Sequence, residues 1–175
     1  MPLATSSFSR DANFVPITQN GLIVKKEVTF TTDGTVVVPI FTLTGTVLVN
    51  ALYGIVTTDL GSNHTAASWR INDQGAQVYL TASAGTTLSS DKAGSLIIKD
   101  GLVAAAVKEI VNTDGAILEP TTLQTMIFSP IILVKKTAAL TQIEYRYITN
   151  NTSLGAITFY CGFIPLSEDG NLTVV

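Results

Sequence analysis

Leu140–Pro165 reads LTQIEYRYITNNTSLGAITFYCGFIP and holds two segments of alternating side chains on either side of a run of turn formers. In the first segment a mainly apolar row comprises Ile143, Tyr145, Tyr147 and Thr149. A mainly polar row alternates with it and comprises Gln142, Glu144, Arg146 and Ile148. In the second segment one row is wholly apolar and comprises Ile157, Phe159, Cys161 and Phe163. Because successive side chains of a strand point to opposite faces, both segments predict strands with one face in a core. Residues 150–155 then form a loop, and the simplest prediction is a long β-hairpin.

The chain before this stretch repeats the pattern of short apolar segments and turns. Glu27–Thr32 and Thr35–Phe41 predict a second hairpin around Asp33-Gly34, and Pro39 predicts that its second strand lies at an edge or ends early. After these, strands are predicted at Ala66–Ile71, Ala76–Ala82, Ser95–Lys99 and Thr125–Val134, and Ser167–Asn171 leads into an exposed tail.

Two segments of the sequence are each compatible with more than one secondary structure. Thr42–Thr58 is β-branched and nearly uncharged, and it predicts either a central strand pair or one long strand bent at Gly45 and Gly54. Leu102–Val111 is interpreted as a strand, although several of its apolar residues also fall at helical spacing: Val103, Ala106, Val107, Ile110 and Val111.

About ten short strands punctuated by Asp-Gly and Asn-Gly pairs predict an all-β fold, an antiparallel β-sandwich. Among sandwich topologies we favour a jelly-roll-like one, because so many strands must form two sheets with protected edges. The length of 175 residues suits one domain. Residues 1–20 predict an extended N-terminal arm that contains Pro16, and residues 21–175 predict a single β-sandwich domain.

Composition and charge argue against several classes of function. The net charge of −3 and the pI near 5.0 offer no basic field for nucleic acid. Mean hydropathy is +0.40, but every apolar run is broken well before the ~18 residues of a membrane-spanning helix, so we expect a soluble protein. The start of the chain lacks the features of a signal peptide, which predicts synthesis in a cytoplasm. Cys161 is the single cysteine and is predicted to be a buried, inert thiol.

His64 is the only histidine and is therefore the first candidate for a catalytic residue. A hydrolytic trio with Ser68 and Asp59 is conceivable, but no serine lies in a nucleophile elbow. We therefore interpret His64 as an exposed loop residue. A glycosidase needs two carboxylates that face the sugar. The candidates are Asp73, Glu109, Glu119 and Glu144, but the sequence does not pair any two of them. Glu144 is interpreted as a solvated partner of Arg146.

Other motifs have ordinary structural explanations. The Asp-Gly pairs lack the alternating oxygen ligands of a calcium loop and are interpreted as turns; they begin at Asp33, Asp100, Asp114 and Asp169. Tyr53, Trp69 and Tyr79 could form a carbohydrate-binding platform, although aromatic residues at strand spacing are usually core. The chain carries no zinc spacing, phosphate loop or dinucleotide fingerprint, so no metal, cofactor, catalytic residue or small-molecule substrate is predicted.

Two stretches of the chain resemble structural proteins of tailed bacteriophages. FSRDANFVPI at Phe8–Ile17 is similar to the Arg-Asp-Ala-Asn-x-Val-Pro start of small phage virion proteins. ITFYCGFIPLSEDGN at Ile157–Asn171 resembles the last strand and tail of such proteins. The resemblance implies a head decoration or cement protein, commonly a β-rich homotrimer on the capsid surface of a virion that is made in the bacterial host cytoplasm. Its implied partners are the major capsid protein and further copies of itself.

This resemblance assigns the arm a binding role. The residues that would reach the shell or a neighbouring subunit are Arg10, Asp11, Asn13, Phe14, Val15, Pro16 and Ile17. The low content of charged residues, 13%, agrees with a surface that neighbouring subunits partly cover. The alternatives are a phage tail, collar or fibre component, and a carbohydrate-binding β-sandwich module. An enzyme is not predicted.

Overall fold

The computed structural model describes residues 9–10, 16–17, 21–73, 76–99, 105–110, 130–135, 140–149 and 155–175. Regular structure in these ranges is entirely β-strand. The strands are β1 Ser9–Arg10, β2 Pro16–Ile17, β3 Leu22–Thr29, β4 Gly34–Thr44, β5 Thr46–Thr58, β6 Thr65–Asp73, β7 Ala76–Tyr79, β8 Leu96–Ile98, β9 Lys108–Ile110, β10 Ile131–Val134, β11 Thr141–Thr149, β12 Ala156–Pro165 and β13 Asn171–Val174.

These strands form two larger antiparallel sheets that pack face to face. The six-stranded sheet has the order β3-β12-β5-β8-β9, and β10 pairs with the part of β5 that β8 leaves free. The five-stranded sheet has the order β13-β4-β11-β6-β7. The predicted antiparallel β-sandwich is therefore confirmed, whereas the jelly-roll topology stays a prediction.

The core lies between the two sheets and contains the apolar rows predicted from Leu140–Pro165. Tyr145 of β11 and Phe159 of β12 are fully buried, and their ring centroids are 4.7 Å apart across the layer. Trp69 of β6 meets Phe159 edge to face at 6.4 Å. Cys161 is also fully buried, and burial raises the pKa of its thiol, so the predicted inert cysteine is confirmed.

The predicted hairpin of Leu140–Pro165 is wrong, because β11 and β12 belong to different sheets. β11 pairs with β4 and β6, and β12 pairs with β3 and β5. Two strands that each have one apolar face can bury both faces by packing one above the other. Side-by-side pairing would leave both rows on one surface that needs a further layer. Alternation thus identifies the core face of a strand without identifying its neighbour.

The second predicted hairpin is wrong for the same reason. β3 lies in the six-stranded sheet and β4 in the five-stranded sheet, so Asp33-Gly34 is part of a connection between layers. The chain changes sheet again at Gly45, whose φ of +54° suits glycine, and a Cβ there would collide with Asp169. Gly45 is thus the predicted bend in Thr42–Thr58, and the two strands on either side of it do not pair.

The C-terminal segment differs from its prediction, whereas Pro39 agrees with one of its two alternatives. β4 continues past Pro39 to Thr44 and so does not end early. β13 pairs with Phe41–Thr44, so at Pro39 β11 is the one described strand that pairs with β4, which agrees with the predicted edge position. The sheet accommodates the proline at a bulge, where the register with β11 shifts between Ile143 and Glu144. The predicted exposed tail forms β13, which pairs with β4 and buries Leu172.

Two other predicted segments fall partly outside the described residues. Of the Leu102–Val111 prediction, Lys108–Ile110 is a strand, which agrees with the strand interpretation there. In the N-terminal arm only β1 and β2 are described, and they pair antiparallel, with Ser9 opposite Ile17 and Arg10 opposite Pro16. Asp11, Asn13, Phe14 and Val15 lie outside the described residues, so the arm stays a prediction.

Candidate interaction surface

The outer face of the six-stranded sheet carries large apolar side chains, although such a face is usually polar in a sandwich. Its orientation follows from β5, in which Val47, Val49, Leu52 and Val56 are buried in the core, so that the intervening residues point outward. We define the outer apolar face by the following residues: Ile23, Leu48, Tyr53, Ile55, Leu96, Ile98, Ile132, Val134, Tyr160 and Ile164.

Strand register arranges part of this face in two rows. Tyr160, Tyr53 and Ile98 form one row across β12, β5 and β8. A second row across β12, β5 and β10 consists of Ile164, Leu48 and Ile132. Adjacent apolar side chains on neighbouring strands create a continuous surface rather than isolated apolar residues. Continuous apolar surfaces of this kind mark sites of interaction with another macromolecule.

β10 carries two of the three most exposed side chains of the outer apolar face. Ile132 is 63% exposed and Val134 is 58% exposed, whereas Leu133 between them is buried in the core. β10 is therefore apolar on both of its faces. A strand whose two faces are apolar is expected where both faces are covered. Here the core covers one face, and the other face, which carries Ile132 and Val134, is exposed.

Tyr53 and Tyr160 form a cross-strand pair within the first row. Their rings stack with centroids 4.9 Å apart and planes 9° from parallel. Burial and the neighbouring Tyr160 both raise the pKa of Tyr53, so its hydroxyl stays protonated at neutral pH. Stacked cross-strand aromatic pairs hold their rings in one orientation and give the face a rigid, amphipathic centre.

Between the two rows the face is lined by small residues. Gly162 of β12 lies opposite Ala51 of β5. A Cβ on Gly162 would lie 2.5 Å from Asn50 Oδ1 and 3.2 Å from the Ala51 Cβ, so a larger residue would displace Asn50. Asn50 therefore packs against Gly162 between the aromatic and aliphatic rows.

Two charged residues lie on the β3 side of this face. Lys25 and Glu27 are exposed and point to the same side of the sheet as Ile23. The Thr57 hydroxyl donates to Glu27 Oε1 at 3.2 Å, which holds the carboxylate beside the sheet. The outer apolar face is thus bordered along one edge by one cation and one anion.

The outer face of the five-stranded sheet is polar and contains a buried ion pair. Arg70 Nε lies 2.7 Å from Glu144 Oε2, and both side chains are less than a tenth exposed. Asn72 Nδ2 donates to Glu144 Oε1 at 2.9 Å, and Arg70 Nη1 donates to Gln77 Oε1 at 2.8 Å. These four side chains therefore form one hydrogen-bond network across β11, β6 and β7.

This network corrects the interpretation of Glu144 as a solvated partner of Arg146. The partner of Glu144 is Arg70, and the pair is buried on a central strand, where Pro39 of β4 and Arg70 of β6 lie opposite Glu144 on its two sides. The sequence separation of 74 residues between Arg70 and Glu144 hides the pair from any local pattern. The arrangement stabilises the sheet.

His64 is buried in the core, so its prediction as an exposed loop residue is wrong. Its Nε2 lies 2.9 Å from the Tyr145 hydroxyl, and its ring stacks on Tyr147 at 4.6 Å and contacts Phe30 at 4.9 Å. Burial lowers the pKa of His64 to about 4, so the ring is neutral at pH 7. The loop folds inward because the Leu88 N–H donates to the His64 carbonyl at 2.8 Å and fixes two loops together.

The structure does not bring His64, Ser68 and Asp59 together as a hydrolytic trio. The Asp59 carboxylate instead accepts hydrogen bonds from Lys92 Nζ and from the Ala93 N–H, both at 2.8 Å. Ser68 is fully buried, and its hydroxyl is 3.5 Å from the Ala66 carbonyl. The three residues therefore have separate structural roles.

The fold also separates the three aromatic residues that could have formed a carbohydrate-binding platform. Trp69 is fully buried in the core, Tyr53 belongs to the outer apolar face, and Tyr79 lies in β7 of the other sheet. The residue that accompanies Tyr53 is Tyr160, which sequence reasoning did not single out. One sequence feature could have identified Tyr160. In the second row of β12, Tyr160 and Ile164 make the strand largely apolar on both faces.

Of the other carboxylates considered, Asp73 accepts a hydrogen bond from the Thr141 hydroxyl at 3.2 Å. The Glu109 side chain and Glu119 lie outside the described residues. Asp169 accepts from the Ser167 hydroxyl at 2.7 Å in the turn before β13. No group of three or more potential metal ligands occurs in the part of the chain that the structure describes.

In a comparison with known proteins, no family model, no curated protein and no solved structure matches this chain. A search of the described ranges finds no helix with the length and apolar character needed to cross a membrane. The class that the fold and its surface define is therefore an all-β sandwich with one apolar outer face.

Proposed function

We propose that this chain is a non-enzymatic structural protein of a tailed-bacteriophage particle, namely a head decoration or cement protein that binds over capsomer junctions and stabilises the head. The observation that carries the proposal is the outer apolar face. A protein that works alone in water gains nothing from exposing Ile132 and Val134, whereas a shell component buries such a face against the particle.

The two terminal stretches support the same assignment. Phe8–Ile17 and Ile157–Asn171 resemble phage virion proteins, and the second stretch includes Tyr160 and Ile164 of the outer apolar face. In this proposal the arm residues Arg10–Ile17 reach onto the shell or an adjacent subunit. A lattice presents many copies at fixed geometry, so a modest contact in each copy gives strong attachment overall.

The strand order supports the jelly-roll-like topology that many capsid proteins share. β3, β12, β5 and β8 follow one another in one sheet, and β4, β11, β6 and β7 follow one another in the facing sheet. Successive strands therefore alternate between the layers through much of the chain, as two interleaved Greek keys require. The implied homotrimer and the major capsid protein as partner belong to this proposal.

The experiment compares binding of purified variants to undecorated particles from the source. The double variant Ile132→Asp with Val134→Asp places two charges on the outer apolar face, and we expect at least ~10-fold weaker binding, because a buried unpaired charge is costly in an interface. Val78→Asp is the matched control, since Val78 is 55% exposed on the other sheet, and we expect its binding to equal that of the unchanged chain.

The thermal midpoint of each variant confirms that it is folded before binding is compared. Binding of the double variant at the level of the unchanged chain would contradict a role for the outer apolar face. Deletion of residues 1–17 tests the arm separately: undiminished binding of that variant would remove the arm from the proposal and leave the face in it.

A further inference from the structure

β3 is an exposed edge of the six-stranded sheet. It spans Leu22–Thr29, and within the described ranges β12 is the strand that pairs with it. Its register with β12 runs without a bulge from Leu22 opposite Phe163 to Thr29 opposite Ala156. A long regular edge strand is a template for another strand, and proteins normally shorten, bend or cover such an edge.

The backbone groups on this edge can be assigned. The Phe30 N–H donates to the Gly155 carbonyl at 2.9 Å, which continues the β3–β12 register by one hydrogen-bonded pair. Because hydrogen-bonded and non-hydrogen-bonded pairs alternate in an antiparallel ladder, the even-numbered residues of β3 bond to β12. The amide and carbonyl groups of Ile23, Lys25 and Glu27 therefore face the open edge.

The side chains of the same residues occupy the outer face. Ile23 is 65% exposed, and Lys25 and Glu27 are exposed as well. Lys26 points to the inner side, where its Nζ donates to the Pro39 carbonyl at 2.8 Å. That hydrogen bond turns the Lys26 side chain back onto its own sandwich, so it does not project across the edge.

We propose that β3 pairs antiparallel with β3 of a second copy of this chain, with the twofold axis at Lys26. In this register Lys25 lies opposite Glu27 of the second copy, and Glu27 lies opposite Lys25 of the second copy. At the axis Lys26 lies opposite Lys26 of the second copy, and each Nζ is held on the inner side by the Pro39 carbonyl of its own copy. The charges on the outer face, those of Lys25 and Glu27, therefore select the register. A shift by one hydrogen-bonded step in either direction places Lys25 opposite Lys25, or Glu27 opposite Glu27, and like charges directly opposite each other are destabilising.

The contact joins two six-stranded sheets into one sheet and places the two outer apolar faces side by side. It extends the proposed function, because a trimer formed through another surface leaves β3 free to link neighbouring trimers in twofold pairs on the particle. The contact is nevertheless a property of the purified chain and can be measured without particles.

The first test reverses charges and measures self-association by sedimentation over a range of concentrations. Lys25→Glu faces Glu27 of the second copy at two symmetric positions, and we expect roughly 10-fold weaker association. The double variant Lys25→Glu with Glu27→Lys exchanges the two charges, and we expect association close to that of the unchanged chain. Unchanged association of the single variant, or a double variant as weak as the single, would overturn the proposal, as would an unchanged chain that stays monomeric.

The second test fixes the register by disulfide formation. Lys25→Cys and Glu27→Cys are prepared separately and mixed in equal amounts under oxidising conditions; Cys161 is fully buried and does not compete. We expect disulfides between residue 25 of one copy and residue 27 of another to exceed those between identical positions. Equal amounts of the mixed and identical disulfides would contradict the register. If this contact is present and particle binding is absent, the proposed function fails while the β3 contact stands.

Discussion

The variant Glu144→Ala is expected to unfold with a free energy about 3–5 kcal/mol below that of the unchanged chain, because it leaves the buried charge of Arg70 without its partner. Asn72 loses its acceptor on Glu144 as well, whereas the hydrogen bond from Arg70 to Gln77 remains. The measurement is equilibrium denaturation in urea at neutral pH. Since Arg70 and Glu144 connect β6 to β11, the loss is expected to affect the whole five-stranded sheet.

Two further variants separate the ion pair from general effects of truncation. Arg146→Ala removes a half-exposed arginine from the same strand and the same face, and we expect a loss below about 1 kcal/mol. Arg70→Met with Glu144→Leu removes both charges together and is expected to recover most of the stability that Glu144→Ala loses. A Glu144→Ala variant within about 1 kcal/mol of the unchanged chain would show that water reaches the pair and that the network adds little.

Acid is expected to destabilise the fold through His64. The pKa of His64 is about 4 in the folded chain and 6.5 when unperturbed, so the unfolded chain binds the proton more readily. The contribution of neutral His64 is complete above pH 6.5 and is lost as the pH falls from 6.5 to about 4. The expected loss is roughly 3 kcal/mol, because each unit of pKa difference corresponds to about 1.4 kcal/mol.

The measurement is the free energy of unfolding as a function of pH, compared with that of His64→Gln. The glutamine variant cannot take up this proton, so its stability is expected to fall less steeply between pH 6.5 and 4. The comparison uses slopes, since the substitution also removes ring contacts with Tyr147 and lowers stability at every pH. Parallel curves for the two proteins would contradict a neutral, buried His64.

The sequence allowed the fold class and the composition of the core to be predicted, because both depend on local alternation. Ile143, Tyr145 and Phe159 face the core, as their spacing predicts. Strand partners could not be predicted in this way. The alternation in β11 and β12 is compatible both with a hairpin and with packing in opposite sheets, and contacts far apart in the sequence decide between them.

The errors at His64 and Glu144 have a common physical cause. Each residue is polar and was assigned to water, because the local sequence offers His64 no partner and offers Glu144 only the nearby Arg146. In the fold His64 meets Tyr145 and Glu144 meets Arg70, which are 81 and 74 residues away along the chain. A buried polar side chain is stable only with such partners, and a partner at that separation leaves no mark in a local pattern.

The outer apolar face was only partly visible in the sequence. Strands that are apolar on both faces were visible at Ile131–Val134 and at Ile157–Ile164. Whether their second faces meet other parts of the chain or stay exposed depends on how the sheets are layered. The structure places those faces together on one side of the sandwich, which joins separate strands into one apolar face.

The central claim, that this chain is a component of the phage head, is tested most directly by quantitative mass spectrometry of particles purified from the source. The measurement counts copies of this chain against the major capsid protein. A decoration protein is predicted to be present in a fixed ratio to the major capsid protein and in many copies per particle. A few copies per particle would assign the chain to the tail, the collar or a fibre, and its absence from purified particles would contradict the virion assignment altogether.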